Sequence, residues 1–179
     1  MRHDTNATYC YPNHLGRILL QAMEEVLGRF GAIAVLKQAK LDARINNYPK
    51  NNLDKKFRFD EVSQIQQALD ASYGVRGGRG LALRIGRACF RIILREIGPE
   101  IGLSTLASST QPEDEKIIQT LELLAELFNK YSDQQVIFSN MGTKYVWTVN
   151  RCPFCWHRRV ENAICLQLVG MVQEALYWV

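Results

Sequence analysis

The sequence predicts an α+β fold: one mostly helical domain over residues 1–179 that carries a small antiparallel sheet. Three observations predict it. Apolar residues recur at three- and four-residue steps along most of the chain, and the period shortens toward two only between Gln135 and Val149. With 47% hydrophobic and 22% charged positions, 179 residues suit one domain with a real core.

The first helix is predicted from Asn13, a candidate N-cap, through Leu15, Ile18, Leu19, Ala22, Met23, Val26, Leu27 and Phe30 on one wide face. Gly28 and Gly31 break it, and a second stretch runs through Ile33, Val35, Leu36 and Ala39. Asn46-Asn47-Tyr48-Pro49 and the polar run to Asp54 read as a loop. Asp60 is then placed to cap a short helix with Val62, Ile65 and Leu69, ending near Gly74. Gly74, Gly77, Gly78 and Gly80 read as a flexible junction. No strand precedes them and no G-x-x-x-x-G-K-[ST] is present, which excludes a phosphate loop.

Leu81 to Ile97 is apolar on almost every side and reads as a central helix, stopped by Gly98-Pro99. Thr110 and Pro112, followed by Glu113, Asp114 and Glu115, open another helix bearing Ile117, Leu121, Leu124, Leu127, Phe128 and Tyr131. A hairpin is predicted over about 135–149, with Asn140-Met141-Gly142 between its strands. A cysteine-bearing turn leads into a last helix with Cys165, Leu168, Val169, Val172, Leu176 and Val179 on one face. Tyr177-Trp178-Val179 carries no helix-stop signal, which predicts that the fold continues past Val179.

The 22 Lys+Arg against 18 Asp+Glu leave +4, which permits an anionic ligand without demanding nucleic acid. No apolar run approaches the roughly 20 residues of a membrane span, and the polar N-terminus has no signal-peptide core. Five cysteines, unevenly placed, do not make a disulfide framework. The expectation is a cytoplasmic protein with reduced thiols.

Cys152-Pro153-Phe154-Cys155, then His157 and Cys165, form the sharpest local feature. A C-x-x-C turn lets two thiolates reach one ion, Cys165 supplies a third ligand from the next helix, and His157 or Glu161 is a candidate fourth. A structural zinc is the leading reading, because no general base accompanies the cysteines. Two alternatives stand beside it. Arg151, His157, Arg158 and Arg159 could activate a redox thiol, or the thiols could be half-buried and carry no ligand.

Arg84, Arg87, Arg91 and Arg95 line up along one helix edge. They could hold a carboxylate or phosphate at a pocket mouth, or mark a solvated edge whose stems cover apolar surface. The three histidines form no H-E-x-x-H and no nucleophile-base pair, which argues against a hydrolase.

Asn150-Arg151-Cys152-Pro153-Phe154-Cys155-Trp156, a polar spacer, and Ala163-Ile164-Cys165-Leu166-Gln167-Leu168-Val169-Gly170 resemble the 4-vinyl reductase (hydrocarbon-binding) domain family, which is related to vesicle-tethering transport particle subunits. The match covers about thirty residues closely; upstream, the order of helices then hairpin agrees. The resemblance implies a commonly dimeric binding module around an apolar cavity for a hydrocarbon, aromatic, acyl or tetrapyrrole-like ligand. In metal-bearing members the cysteine matching Cys165 is a zinc ligand, with a Glu and two Cys from a hairpin after the last helix. This chain stops at Val179, so a metal here leans on Cys152 and Cys155.

The resulting expectation is non-catalytic binding of an apolar small molecule between the central helix and the hairpin. Phe90, Leu94, Phe128, Phe138, Tyr145 and Trp147 are the candidate walls, and Arg87 and Arg91 candidates at the mouth. The partners expected are that ligand and a second copy in a homodimer, with no nucleic acid and no membrane span. The alternatives are an enzyme or thiol redox carrier of tetrapyrrole metabolism using Cys152 and Cys155, or a dimeric assembly protein.

Overall fold

A computed structural model describes residues 8–158 and 164–179. In chain order it contains β1 (Cys10–Pro12), α1 (Asn13–Gln38), β2 (Lys55–Arg58), α2 (Phe59–Glu96) and α3 (Leu103–Ala107). Then follow α4 (Glu113–Tyr131), β3 (Val136–Asn140), β4 (Tyr145–Val149) and α5 (Leu166–Trp178), with 3-10 turns at Asp42–Arg44 and Pro153–Cys155. The architecture is α+β and mostly helical, as the periodicity predicts. Two separate two-stranded antiparallel sheets, β1–β2 and β3–β4, join the helical core through buried Tyr11, Phe57 and Val136.

The predicted hairpin is β3–β4, with Val136 opposite Val149 and Asn140 opposite Tyr145. The Asn140 side-chain oxygen accepts the Gly142 N–H at 2.8 Å, and Gly142 takes φ 77°, which explains the Asn-x-Gly at the turn. The helix read from Pro112 is α4. The β1–β2 pair was not predicted, because strands of three and four residues, one of them Lys-Lys-Phe-Arg, are too short to express a period. Phe57 is the anchor: it is fully buried, and a side chain on Gly16 of α1 would strike its ring.

Two expected caps are placed differently. Asn13 is the first residue of α1 rather than its cap. The 52–54 loop satisfies the helix start instead, since the Asp54 and Asn52 carbonyls accept the Asn13 and His14 N–H groups at 2.8 and 3.0 Å. Asp60 lies inside the first turn of α2, where the Glu61 carboxylate accepts the Arg58 N–H at 2.9 Å.

The two helices expected on either side of Gly74 are present and meet at a kink at that residue, inside the span Phe59–Glu96. Gly74 (φ 70°, ψ 164°) and Gly28 in α1 (φ 71°, ψ 164°) share a backbone geometry open essentially to glycine alone. Gly31, Gly77, Gly78 and Gly80 stay helical, so the junction is a single hinge residue rather than a flexible stretch.

α5 crosses the second half of α2 at backbone distance. A Cβ on Gly86 would overlap the Gln167 carbonyl, and one on Gly170 would overlap that of Leu83. This glycine-on-backbone contact rotates α5 away from the predicted face. Gln167, Leu168, Gly170, Met171 and Ala175 are buried, while Val169 and Leu176 stay 44% and 40% exposed.

Candidate metal centre and its cleft

The turn that carries Cys152 and Cys155 is fixed by its neighbours. Phe154 and Trp156 are buried, and the Trp156 ring meets Tyr9 edge-on at 5.1 Å and Phe59 at 6.1 Å. The Ser63 hydroxyl of α2 donates to the Trp156 carbonyl at 2.8 Å. Cys165 immediately precedes the first turn of α5. The two elements therefore meet at three sulfurs: the Cys165 Sγ lies 3.1 Å from that of Cys152 and 3.0 Å from that of Cys155.

All three ligand atoms lie within 4.8 Å of one another. A tetrahedral zinc with bonds near 2.3 Å has sulfur-sulfur edges of about 3.8 Å, so the trio needs to open by less than an ångström to receive one. Three soft sulfurs suit Zn²⁺ over the hard oxygen-seeking cations. The Ile164 backbone favours the thiolate forms of Cys155 and Cys165, the influence a metal ligand needs.

Charge on the trio is shared. Hydrogen bonds from the Cys152 and Cys165 thiols hold Cys155 down at about 3 against the opposing effect of burial, helped by the Ile164 backbone and the Arg158 charge. The same hydrogen bonding, with burial, pushes the Cys152 thiol up. A divalent cation would relieve the repulsion that prevents all three from ionising.

His157 does not join the sulfurs. Its backbone takes φ 54°, its ring stacks on Trp156 at 5.0 Å, and Nδ1 sits 2.9 Å from Asp60 in the first turn of α2. The local spacing is right for a ligand, but the trio within metal-binding distance is the three sulfurs, and a carboxylate from a distant segment holds the Nδ1 side of the ring. Glu161 and Arg159 lie outside the described residues. Arg151 is directed to Tyr9, with its guanidinium 4.4 Å from the ring centre.

The expected pocket between the central helix and the hairpin is replaced by a cleft elsewhere. Phe90 is fully buried against Trp178 at 6.0 Å, and Leu94 packs on the same core. Phe128 lines an internal void of only ≈ 40 Å³ with Tyr11 and Leu15, room for about a water. Phe138 and Tyr145 pair with each other at 6.0 Å on the hairpin.

The larger apolar space, ≈ 380 Å³, lies between β4 and α5. Its walls are Trp147, Val149, Cys152, Cys165, Leu168, Val169, Val172 and Gln173. Of the predicted wall residues only Trp147 faces it. The signal available in the sequence was Gly170: a small residue in an apolar helix marks the packed side, which leaves Val169 and Val172 for the other.

The arginine edge is tied down. Arg87 donates to Gln173 at 2.9 Å and lies 5.7 Å over the Tyr177 ring, and Arg91 bridges Glu25 at 2.8 Å and Glu174 at 3.0 Å. Both clamp α2 to α5, and neither lines the cleft, although Arg87 holds its wall residue Gln173. No helix of the described residues is long and apolar enough to cross a membrane. The chain matches no protein-family profile, and no curated protein or solved structure matches it either.

Proposed function

We propose that the protein binds an apolar small molecule in the β4–α5 cleft, beside a structural zinc on Cys152, Cys155 and Cys165, and performs no chemistry of its own. One observation carries the reading: Cys152 and Cys165 belong at once to the sulfur trio and to the cleft wall. A metal there would fix the turn against α5 and so hold the cleft open. The cleft's size is near the lower end of the roughly 300–1,000 Å³ of small-molecule sites, which favours a single aromatic ring or a length of acyl chain over a whole tetrapyrrole. Among the described lining residues the only polar side chains besides the thiols are the Gln173 amide and the Trp147 indole, so no histidine or carboxylate faces the ligand. The resemblance to the hydrocarbon-binding domain supports the same reading.

Native mass spectrometry of the purified protein tests it, and also counts subunits for the homodimer that the resemblance implies. The expected spectrum holds one zinc per chain, released by a chelator, and an apolar adduct. A metal-free, ligand-free protein that takes up neither when offered zinc and aromatic or acyl compounds overturns the reading. The short sulfur-sulfur distances favour one second reading, a thiol redox carrier in which Cys165 closes a disulfide with Cys152 or Cys155. Thiol titration separates the two: zinc protects the trio until chelation, whereas a redox thiol reacts fast with or without chelator.

A further inference from the structure

The kink of α2 reaches back to that of α1 through one side chain. A Cβ on Gly31, three residues after the Gly28 break, would sit 3.4 Å from the hydroxyl oxygen of Tyr73, the residue before Gly74. The chain at this double kink is bare: residues 28–30 and 71–77 are all exposed. It nevertheless carries large apolar side chains, with Phe30 87% exposed, Val75 68% and Tyr73 42%. Single exposed apolar residues are ordinary on a soluble protein, but a cluster of three on a glycine-rich bend is not.

The charge beside the cluster has one sign. Arg76 and Arg79 are exposed, and neither has an ion-pair or hydrogen-bond partner among the described residues, in contrast to Arg87 and Arg91 on the same helix. The nearest carboxylate along the chain, Asp70, is paired with Arg158. Apolar side chains at the tip of a bend with unpaired arginines next to them match the two layers of an anionic membrane surface, acyl boundary and phosphate. A second copy of this chain fits less well. Three side chains offer on the order of 400 Å², about half of the ~800 Å² per partner of a stable dimer, and a symmetric contact would set arginine against arginine.

We propose that the double kink docks the protein peripherally on an anionic lipid bilayer, with Phe30 and Val75 entering the interfacial layer and Arg76 and Arg79 meeting lipid phosphates. This rests on neither the metal nor the cleft.

Vesicle flotation of the full chain tests it, with phosphatidylcholine alone and with phosphatidylserine added. Binding is expected to the mixed vesicles only, and to weaken with salt. Phe30→Ser, which removes no buried contact, should reduce it about tenfold or more. The Arg76→Gln/Arg79→Gln pair should reduce it about 25-fold, near fivefold for each charge. Ile137→Ser, at an exposed apolar position on the hairpin, serves as control and should change nothing. Three results would each overturn the proposal: failure to float with the mixed vesicles, equal binding to neutral ones, or a Phe30→Ser variant that binds as before. A dimer that Phe30→Ser dissociates would assign the surface to self-association and overturn it too.

Discussion

The two sides of α5 carry similar sequence and opposite structure. On one side Gly170 and Ala175 let the helix lie against α2 at backbone distance, with Gly86 answering from α2. On the other, Val169 and Val172 face β4 across a cleft. Both sides are apolar, so hydrophobicity does not decide which one packs. Size does: side chains with no Cβ or a small one permit close approach, and β-branched ones hold the neighbour off. The closed side keeps the helix in place, and the open side has the thiols and the room for a ligand.

Substitutions should divide along that line. The largest effect is expected on the closed side. Gly86→Ala puts a Cβ into the Gln167 carbonyl, and backbone cannot yield as a side chain tip can. Destabilisation of about 3 kcal/mol, read from the urea midpoint, is expected, against less than ~1 kcal/mol for Val172→Ala on the open side. Next comes metal loading. Zinc at a hundred times its dissociation constant should add about 2.7 kcal/mol, and Cys165→Ser should abolish that increment while changing the chelated protein little.

Smaller effects sharpen the contrast. Val172→Asp should weaken apolar-ligand affinity at least tenfold by calorimetry, with a stability change within ~0.5 kcal/mol, because the site is lost but the core is untouched. Away from both sides of α5, a pH effect is expected at Glu96, which ends α2 against His14 of α1. Burial, the largest single influence, pushes its carboxyl up, but hydrogen bonds from His14 and Arg95 outweigh it and leave it below the ordinary value. Glu96 thus binds fewer protons folded than unfolded in that window. Its contribution is full above the ordinary carboxylate pKa and disappears as pH falls through the lower folded value. The stability difference between wild type and Glu96→Gln should shrink accordingly on acidification. Smallest of all, His157→Ala should leave metal content unchanged and cost at most about 0.5 kcal/mol, the scale of one exposed pair with Asp60.

The contrast also explains what the sequence makes legible. α1, α4 and the hairpin announce themselves because each has one period and one face. The cysteine trio is legible because Cys152 and Cys155 share a turn and Cys165 begins the next helix, so local geometry alone brings the sulfurs together. His157 reads as a ligand by the same spacing, but the structure sets its Nδ1 against Asp60, ninety-seven residues away in sequence, and groups only the three sulfurs. The β1–β2 pair is invisible for a similar reason: it exists through Phe57 filling the space over Gly16, a long-range contact with no local pattern. Large aromatic residues, Trp147 apart, do not mark the cleft. Phe90 and Phe128 are large because they fill the core, and the cleft is walled by valines of ordinary appearance.

Cobalt titration of the metal-free protein tests the account most directly, because Co²⁺ reports both sulfur ligation and coordination geometry. The prediction is stoichiometric uptake of one ion, with tetrahedral visible bands and a thiolate-to-cobalt charge-transfer band that weakens with each Cys→Ser change at 152, 155 and 165. An oxygen-ligated octahedral spectrum, indifferent to all three substitutions, would contradict a metal centre at the cleft.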